Sequence, residues 1–376
     1  MVALLRDDLS AAGLAAFAVL FVPTWWLWMD FSYYGDQFDT DDVVYRLALL
    51  TVMFGVLFTG KARESALHDE LSAAPFVFGG MYAILLGLYA RAHRPNPELR
   101  PLIRRYTVAM GIAAALFALS ALVPPPWRFA LWFAAIAVPM ANSPLTYATL
   151  PDLPSQVSHM PERFGLFTII VLGESVVAVG VALGELELTV PVIGACLAGF
   201  ALASALWWIY FVRDDPSALS AFLEGDGRAM LKSHVYGYAH VLVYAGIVVG
   251  AVGIEEAILG LGEPSSGGGH GDGGGDDRAG GHGPFVAALL AGGTAVALVG
   301  IAIVHRAAAR PLPVSAFAAR LVVAAGLGTL AAFAAAGAVS GAGTLHATAA
   351  AAVGLAALET WLLPHPEALP SEAGEL

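Results

Sequence analysis

Charge is what this sequence has least of. Of its 376 residues 13% are charged and 58% are hydrophobic, and the mean hydropathy is +0.73. A soluble domain carries about 25% charged residues, so there is too little polar material here to cover a water-facing surface. The charges that exist are bunched between long apolar runs, the pattern of helices whose solvent is lipid. Cysteine is nearly missing. The single one, Cys196, lies inside an apolar run, which excludes an internal disulfide and a C-x-x-C metal or redox site. Basic clusters with interleaved aromatics are missing too, so nucleic acid is not an expected partner. The net charge of −12 comes from acids in short loops and a Gly-rich insert. The chain holds no P-loop, no G-x-S-x-G and no H-E-x-x-H, and it has no dense run of metal-ligating residues. No cofactor is expected, and an enzyme is the weaker class. A signal peptide is also not expected. The first apolar run is too long for one and ends in Trp25, Trp26 and Trp28 rather than at a small-residue cleavage site.

What is present is a series of apolar runs long enough to span a bilayer. About 20 residues at ~1.5 Å rise cross a ~30 Å core. Spans are predicted at 9–29, 43–60, 75–92, 103–123, 127–142, 164–183, 190–212, 234–260, 285–305, 316–338 and 344–363. The fold class is therefore all-α: a polytopic transmembrane helix bundle of about eleven spans, forming one membrane domain over 1–376 with a tail at 364–376. The fifth run ends near Pro139 and Pro144 and is expected to tilt, or to break before the far interface. Thirteen Lys and Arg residues, from Arg46 through Arg163 to Arg320, fall on one side of these spans. Five (Arg6, Lys61, Arg63, Arg128, Arg278) fall on the other. The richer side is expected to face the cytoplasm of a bacterial plasma membrane, with the N-terminus outside and the C-terminus inside. The Gly-rich stretch 262–283 reads as a solvated extramembrane linker. Its His270, Asp272, Asp276, Asp277 and His282 would hold a metal only weakly, since nothing fixes their geometry.

Two spans end alike. P-T-W-W-L-W-M-D-F closes the first and A-L-W-W-I-Y-F the seventh, so Trp25 and Trp26 correspond to Trp207 and Trp208. Interfacial preference explains aromatics at a helix end but does not require a W-W pair in both places. Six spans separate the two, and an even number preserves orientation. A parallel six-helix repeat follows, with halves at 1–160 and 161–363.

The most informative stretch is 159–180. It opens with His159, Glu162 and Arg163 at the cytoplasmic edge, where Glu162 suits the positive helix N-terminus. Glu174 then falls about ten residues into the span, ~15 Å deep. A carboxylate at that depth costs ~2.5–3.5 kcal/mol on insertion scales, so it faces the bundle interior, is protonated, or pairs with a donor. Gly165 and Gly173 are expected to let a neighbouring helix approach closely. The functional reading is a proton- or cation-handling site; the bland one is a neutral Glu bonded to another helix. In the eighth span His240, with Tyr244 one turn on, is a candidate relay partner for Glu174, and a packing hydrogen bond is the alternative. Glu255 and Glu256 read as interfacial. Asp39, Asp41 and Asp42 with Arg46 read as a capping arrangement at the start of the second span, with Thr40 or Asp41 as the cap.

The run E-R-F-G-L-F-T-I-I-V-L-G-E at 162–174 resembles the signature of the low-temperature-requirement A family of bacterial membrane proteins. Stretches 22–28, 37–46 and 205–211 extend the resemblance over most of the chain. It implies a multi-pass membrane protein linked by name to growth in the cold. Members usually begin with a further helix carrying an E-L-F-F-D-L-V-F-V-like motif. This chain is expected to start after it, either because the sequence is truncated, in which case an acid partnering Glu174 would be missing, or because this branch lacks the helix.

Three functions are open at this point. A secondary transporter or ion-handling protein predicts polar residues facing a shared cavity and a small solute or ion as partner. A non-transporting protein of cold or envelope stress predicts that packing closes off Glu174. An intramembrane lipid-acting enzyme predicts that Glu174, His240 and His159 converge on a lipid-accessible groove. The sequence sets no oligomeric state.

Overall fold

A computed structural model describes residues 2–38, 41–61, 73–150, 159–212, 227–262, 283–308 and 311–362. Asp39, Thr40, Asp214, Asp215 and the candidate metal ligands of the Gly-rich insert lie outside the described residues. Within them every element is a helix: α1 (Val2–Asp7), α2 (Ala11–Phe38), α3 (Val43–Lys61), α4 (Ala74–Ala92), α5 (Arg100–Ser120), α6 (Trp127–Thr149), α7 (Met160–Glu185), α8 (Val190–Phe211), α9 (Gly227–Leu259), α10 (Gly283–Ala307), α11 (Val314–Ala335) and α12 (Gly341–Leu362). Eleven of them, α2 to α12, are long and apolar enough to cross a membrane. Hydrocarbon offers no partner for a backbone N–H or C=O, so a spanning segment must close its own ladder, and helix is the form these runs take.

Several boundaries differ from the sequence expectation by a few residues, and two of them have a clear physical reason. The first span does not stop at Met29 but continues to Phe38. Its polar last turns are covered by protein: Asp30, Asp36 and Gln37 are buried. The fifth span runs on through Pro139 and Pro144 to Thr149. Spanning helices tolerate proline because neighbouring helices and hydroxyl side chains re-satisfy the freed carbonyls, and Thr146 and Thr149 lie on this last stretch.

The bundle is built around α9 and α10. Of their most apolar stretches 78% and 72% are buried, against 17% for α3 and 22% for α11, which therefore face lipid. The α9–α10 contact is backbone on backbone. A Cβ on Gly246 would fall 2.4 Å from the Ala297 nitrogen and 2.6 Å from the Gly293 carbonyl oxygen. One on Gly253 would fall 2.6 Å from the Leu290 Cα, and one on Gly300 2.7 Å from the Val243 nitrogen. In lipid, association is driven by packing rather than by water exclusion, so small residues set how closely helices approach. The close approach expected at Gly173 is not there: a Cβ on Gly173 would meet nothing within 4 Å. Gly165 is buried.

α7 lies against α9 and runs in the same direction. Phe164 stacks on His240 with ring centres 4.3 Å apart, and Phe167 meets Tyr244 at 4.6 Å. α2 touches α4, α6, α7 and α9, so its polar face is enclosed by four other helices.

Candidate functional site

Three sets of polar residues sit inside the bundle. The first surrounds Glu174. It is half-buried on α7 and has no ion pair or side-chain hydrogen bond among the described residues. Across the parallel α7–α9 contact, Glu255 lies within Coulombic reach of both Glu174 and Glu185. Glu255 is 2% exposed and bound by Arg6 of α1, so near the end of its helix it is covered by protein. A recess of 980 Å³ at this end is lined by Arg6, Asp7, Asp8 and Glu256.

The second set surrounds α2. Trp26, Asp30, Tyr33 and Gln37 recur every three or four residues and so share one helix face. The Tyr82 hydroxyl of α4 donates to Asp30 Oδ2 at 3.4 Å, and the Tyr147 hydroxyl of α6 donates to Gln37 at 3.5 Å. From α9, Tyr238 packs edge-on against Trp26 at 4.8 Å, and Gly237 lets the Tyr33 hydroxyl come close. His234 and Ser143 hydrogen-bond at 2.7 Å beside them. The His159 backbone N–H donates to Asp36 Oδ1 at 3.2 Å, tying the start of α7 to α2, and Arg163 stands within Coulombic reach of the same carboxylate. Glu162 is exposed, with His159 4.0 Å away.

The third set was not read from the sequence. Arg320 of α11, counted there among loop cations, is 0% exposed. Its guanidinium bonds both oxygens of Glu359 on α12, at 2.6 and 2.7 Å, and donates to His305 Nδ1 at 2.8 Å on α10. The carbonyls of Ile301 and Ile209 accept its remaining N–H groups at 3.4 and 3.3 Å. All five donors are thereby used. Arg128, another loop cation by sequence, is likewise buried, donating to the Val123 carbonyl at 3.2 Å. Next to the Arg320 cluster, the Tyr210 ring stands 6.0 Å from that of His305 and its hydroxyl lies 2.9 Å from His240 Nε2. His240 Nδ1 faces the Tyr236 carbonyl at 2.8 Å. The carbonyl can only accept, so Nδ1 carries the proton and Nε2 accepts from Tyr210. The signal that could have found this set is an Arg and a Glu, each within an apolar run, on consecutive spans.

The predicted residues are thus only partly brought together. His240 packs on Phe164, ten residues from Glu174 and so ~15 Å along α7. His159 is farther still, at the helix start. The two W-W pairs occupy different surroundings. Trp25 and Trp26 are buried, whereas Trp207 and Trp208 are 46% and 42% exposed, with Trp208 Nε1 donating to Thr360 at 2.8 Å.

Before α3 the cap is Asp42: its Oδ1 accepts from the Tyr45 N–H at 2.9 Å. Asp41 instead pairs side-on with Arg46, at 2.6 and 2.8 Å, and Asp42 also binds Arg91 of α4. The Arg91 hydrogen bond holds the Asp42 carboxyl below its usual range. A lowered folded-state pKa means that the contribution is complete above about pH 4 and is lost as pH falls through the folded value. The destabilisation caused by Asp42→Ala is therefore expected to be measurable at about pH 7 and smaller at about pH 3. Thermal unfolding in detergent at both pH values checks this, and a pH-independent difference would count against it.

Fold and sites together define a polytopic helical membrane protein with ionisable groups enclosed in its interior. The chain belongs to the low temperature requirement A family: the family model described as "Bacterial low temperature requirement A protein (LtrA)" matches residues 2–357. Among curated proteins, an uncharacterized protein of Rhizobium meliloti (strain 1021) is 28% identical over 264 residues. That match covers 66% of this chain and 63% of the relative. No solved structure matches.

Proposed function

We propose that this protein is a secondary transporter or ion-handling protein of the bacterial plasma membrane, with Glu174 as a protonatable group within the span. The observation that carries the reading is a half-buried carboxylate within the span that has no ion pair or side-chain hydrogen bond among the described residues, while Glu255 on the adjacent helix is held by Arg6. A carboxylate so placed inside a membrane calls for a proton or a cation to accompany it. The stress-scaffold reading calls for a Glu174 closed off by packing, and the residue is only half-buried with open space at Gly173. The lipid-enzyme reading calls for Glu174, His240 and His159 in one groove, and they stand on separate turns.

The helix neighbours support a parallel repeat. The contacts α2–α6, α3–α4, α4–α5 and α5–α6 recur as α8–α12, α9–α10, α10–α11 and α11–α12. In this reading the arginine-rich end faces the cytoplasm.

The test is proton flux into proteoliposomes under an imposed potential, comparing the native chain with Glu174→Gln. Flux in the native protein is expected to fall by at least about tenfold in the variant, which removes a titrating group without changing its shape. Equal flux in both, with both monodisperse, would remove Glu174 from the pathway.

A further inference from the structure

Asp30 is the acid that the proton-handling reading does not use, and its surroundings are unlike those of the other buried charges. Arg320 and Glu359 neutralise each other. Asp30 is 7% exposed, and among the described residues no cation pairs with it; its one hydrogen-bond donor is the Tyr82 hydroxyl. It lies ~28 Å along α2 from Ala11 and ~12 Å from Phe38, inside the apolar span. A lone carboxylate is costly there unless a cation accompanies it or a proton neutralises it.

Around Asp30 stand aromatic rings. Trp26 lies one turn before it on the same face and Tyr33 one turn after. Tyr238 packs on Trp26, and the hydroxyl of Tyr147 reaches the next turn at Gln37. Tyr33, Tyr147 and Tyr238 are partly exposed although they face one another between α2, α6 and α9. These three rings are not fully packed, so the junction of α2, α6 and α9 is open at their surface. The same helix also carries unpartnered polar atoms. Among the described residues five buried side-chain N or O atoms lack a hydrogen-bond partner, and three of them are Trp25 Nε1, Trp26 Nε1 and Asp36 Oδ2 of α2. Trp25, Trp26 and Asp36 are 2%, 3% and 5% exposed. Such groups are normally satisfied; Trp26 Nε1 is the one on the Asp30 face, with Trp25 and Asp36 about 100° round the helix from it, so this face presents an unused donor beside an unpaired acid.

We infer that the cleft between α2, α6 and α9 binds a small organic ammonium cation, with Asp30 as its counter-charge and the Trp26, Tyr33 and Tyr238 rings as its walls. Aromatic faces attract alkylated ammonium groups, which are too weakly hydrated to resist leaving water. The unpartnered Trp26 indole N–H supplies a donor for an oxygen carried by the same molecule. The cleft would give the proposed carrier its substrate class and rests on that reading for the transport step, while binding is measured apart from it.

The test is titration of choline into the detergent-purified full chain, read by thermal midpoint and tryptophan fluorescence. The controls are the uncharged isostere, in which carbon replaces the ammonium nitrogen, and sodium chloride at matched ionic strength. Saturable stabilisation by choline alone is expected. Asp30→Asn should weaken it by at least about tenfold and Tyr33→Leu by several-fold. If Asp30→Asn does not fold, Tyr33→Leu carries the test. Equal stabilisation by the isostere or by salt, or choline affinity unmoved in the variants that fold, would overturn the inference. Binding without proton flux would sink the Glu174 reading and keep this one, and flux without binding would do the reverse.

Discussion

Arg320→Met is expected to be among the most damaging single substitutions in this protein, costing about 3–5 kcal/mol. The methionine fills much of the space that the arginine stem occupied, so packing is not the main loss. The loss is electrostatic. Glu359, 2% exposed, would be left buried without its counter-ion, and His305 would lose the donor to its Nδ1. The double variant Arg320→Met, Glu359→Leu removes both charges and should recover most of the stability, because replacing a buried pair by apolar residues of similar volume is often close to neutral. Thermal midpoints and size-exclusion profiles in detergent, measured on both single variants and the double, form the cycle that isolates the pair. If Arg320→Met alone unfolds at the native temperature, the pair is not a structural clamp.

The second large effect is expected at Gly246. An alanine there would place its methyl 2.4 Å from a backbone nitrogen and 2.6 Å from a backbone oxygen of α10. Neither atom belongs to a side chain that can rotate away, so α9 and α10 must separate. Overpacking of this kind costs about 1–3 kcal/mol, and leucine should cost more than alanine. Gly180 is the control. It is helical and has open space, so alanine there should be neutral or mildly stabilising through helix propensity. Unfolding temperatures of the two alanine variants check the contrast. Equal values would mean that the α9–α10 contact yields without cost.

The existence of the spans was legible because lipid imposes a compositional rule on every residue of a segment. Their eleven-fold count and helical class needed no partner residue. What lay between spans was harder. Asp30, Tyr33, Asp36 and Gln37 fall just beyond the expected end of the first span at 29, yet four helices cover them, and that cover depends on contacts remote in sequence. Glu174 stood out, since an acid inside an apolar run is conspicuous wherever it occurs. The Arg6 partner of Glu255 was not legible, because the two residues are far apart in sequence. Arg320 was concealed by the rule that assigns orientation, which treats a cation near a span boundary as a loop residue. Its partners are 39 and 15 residues away on other helices, and no spacing in the sequence announces them. The cap at Asp42 was missed by one position, which is the resolution that pattern reading offers at a helix end.

The Arg320–Glu359 pair also bears on how the chain enters the membrane during synthesis. Each residue alone raises the cost of inserting its own helix, by ~2.5–3.5 kcal/mol for a cation at mid-span and less towards the ends. They sit on α11 and α12, consecutive segments joined by the short turn 336–340, so one hairpin contains both charges. α11 therefore has reason to wait beside the insertion machinery until α12 has emerged, and the two should leave it together. Nascent chains stopped between these helices are expected to hold α11 less firmly in the bilayer than chains released after Leu362.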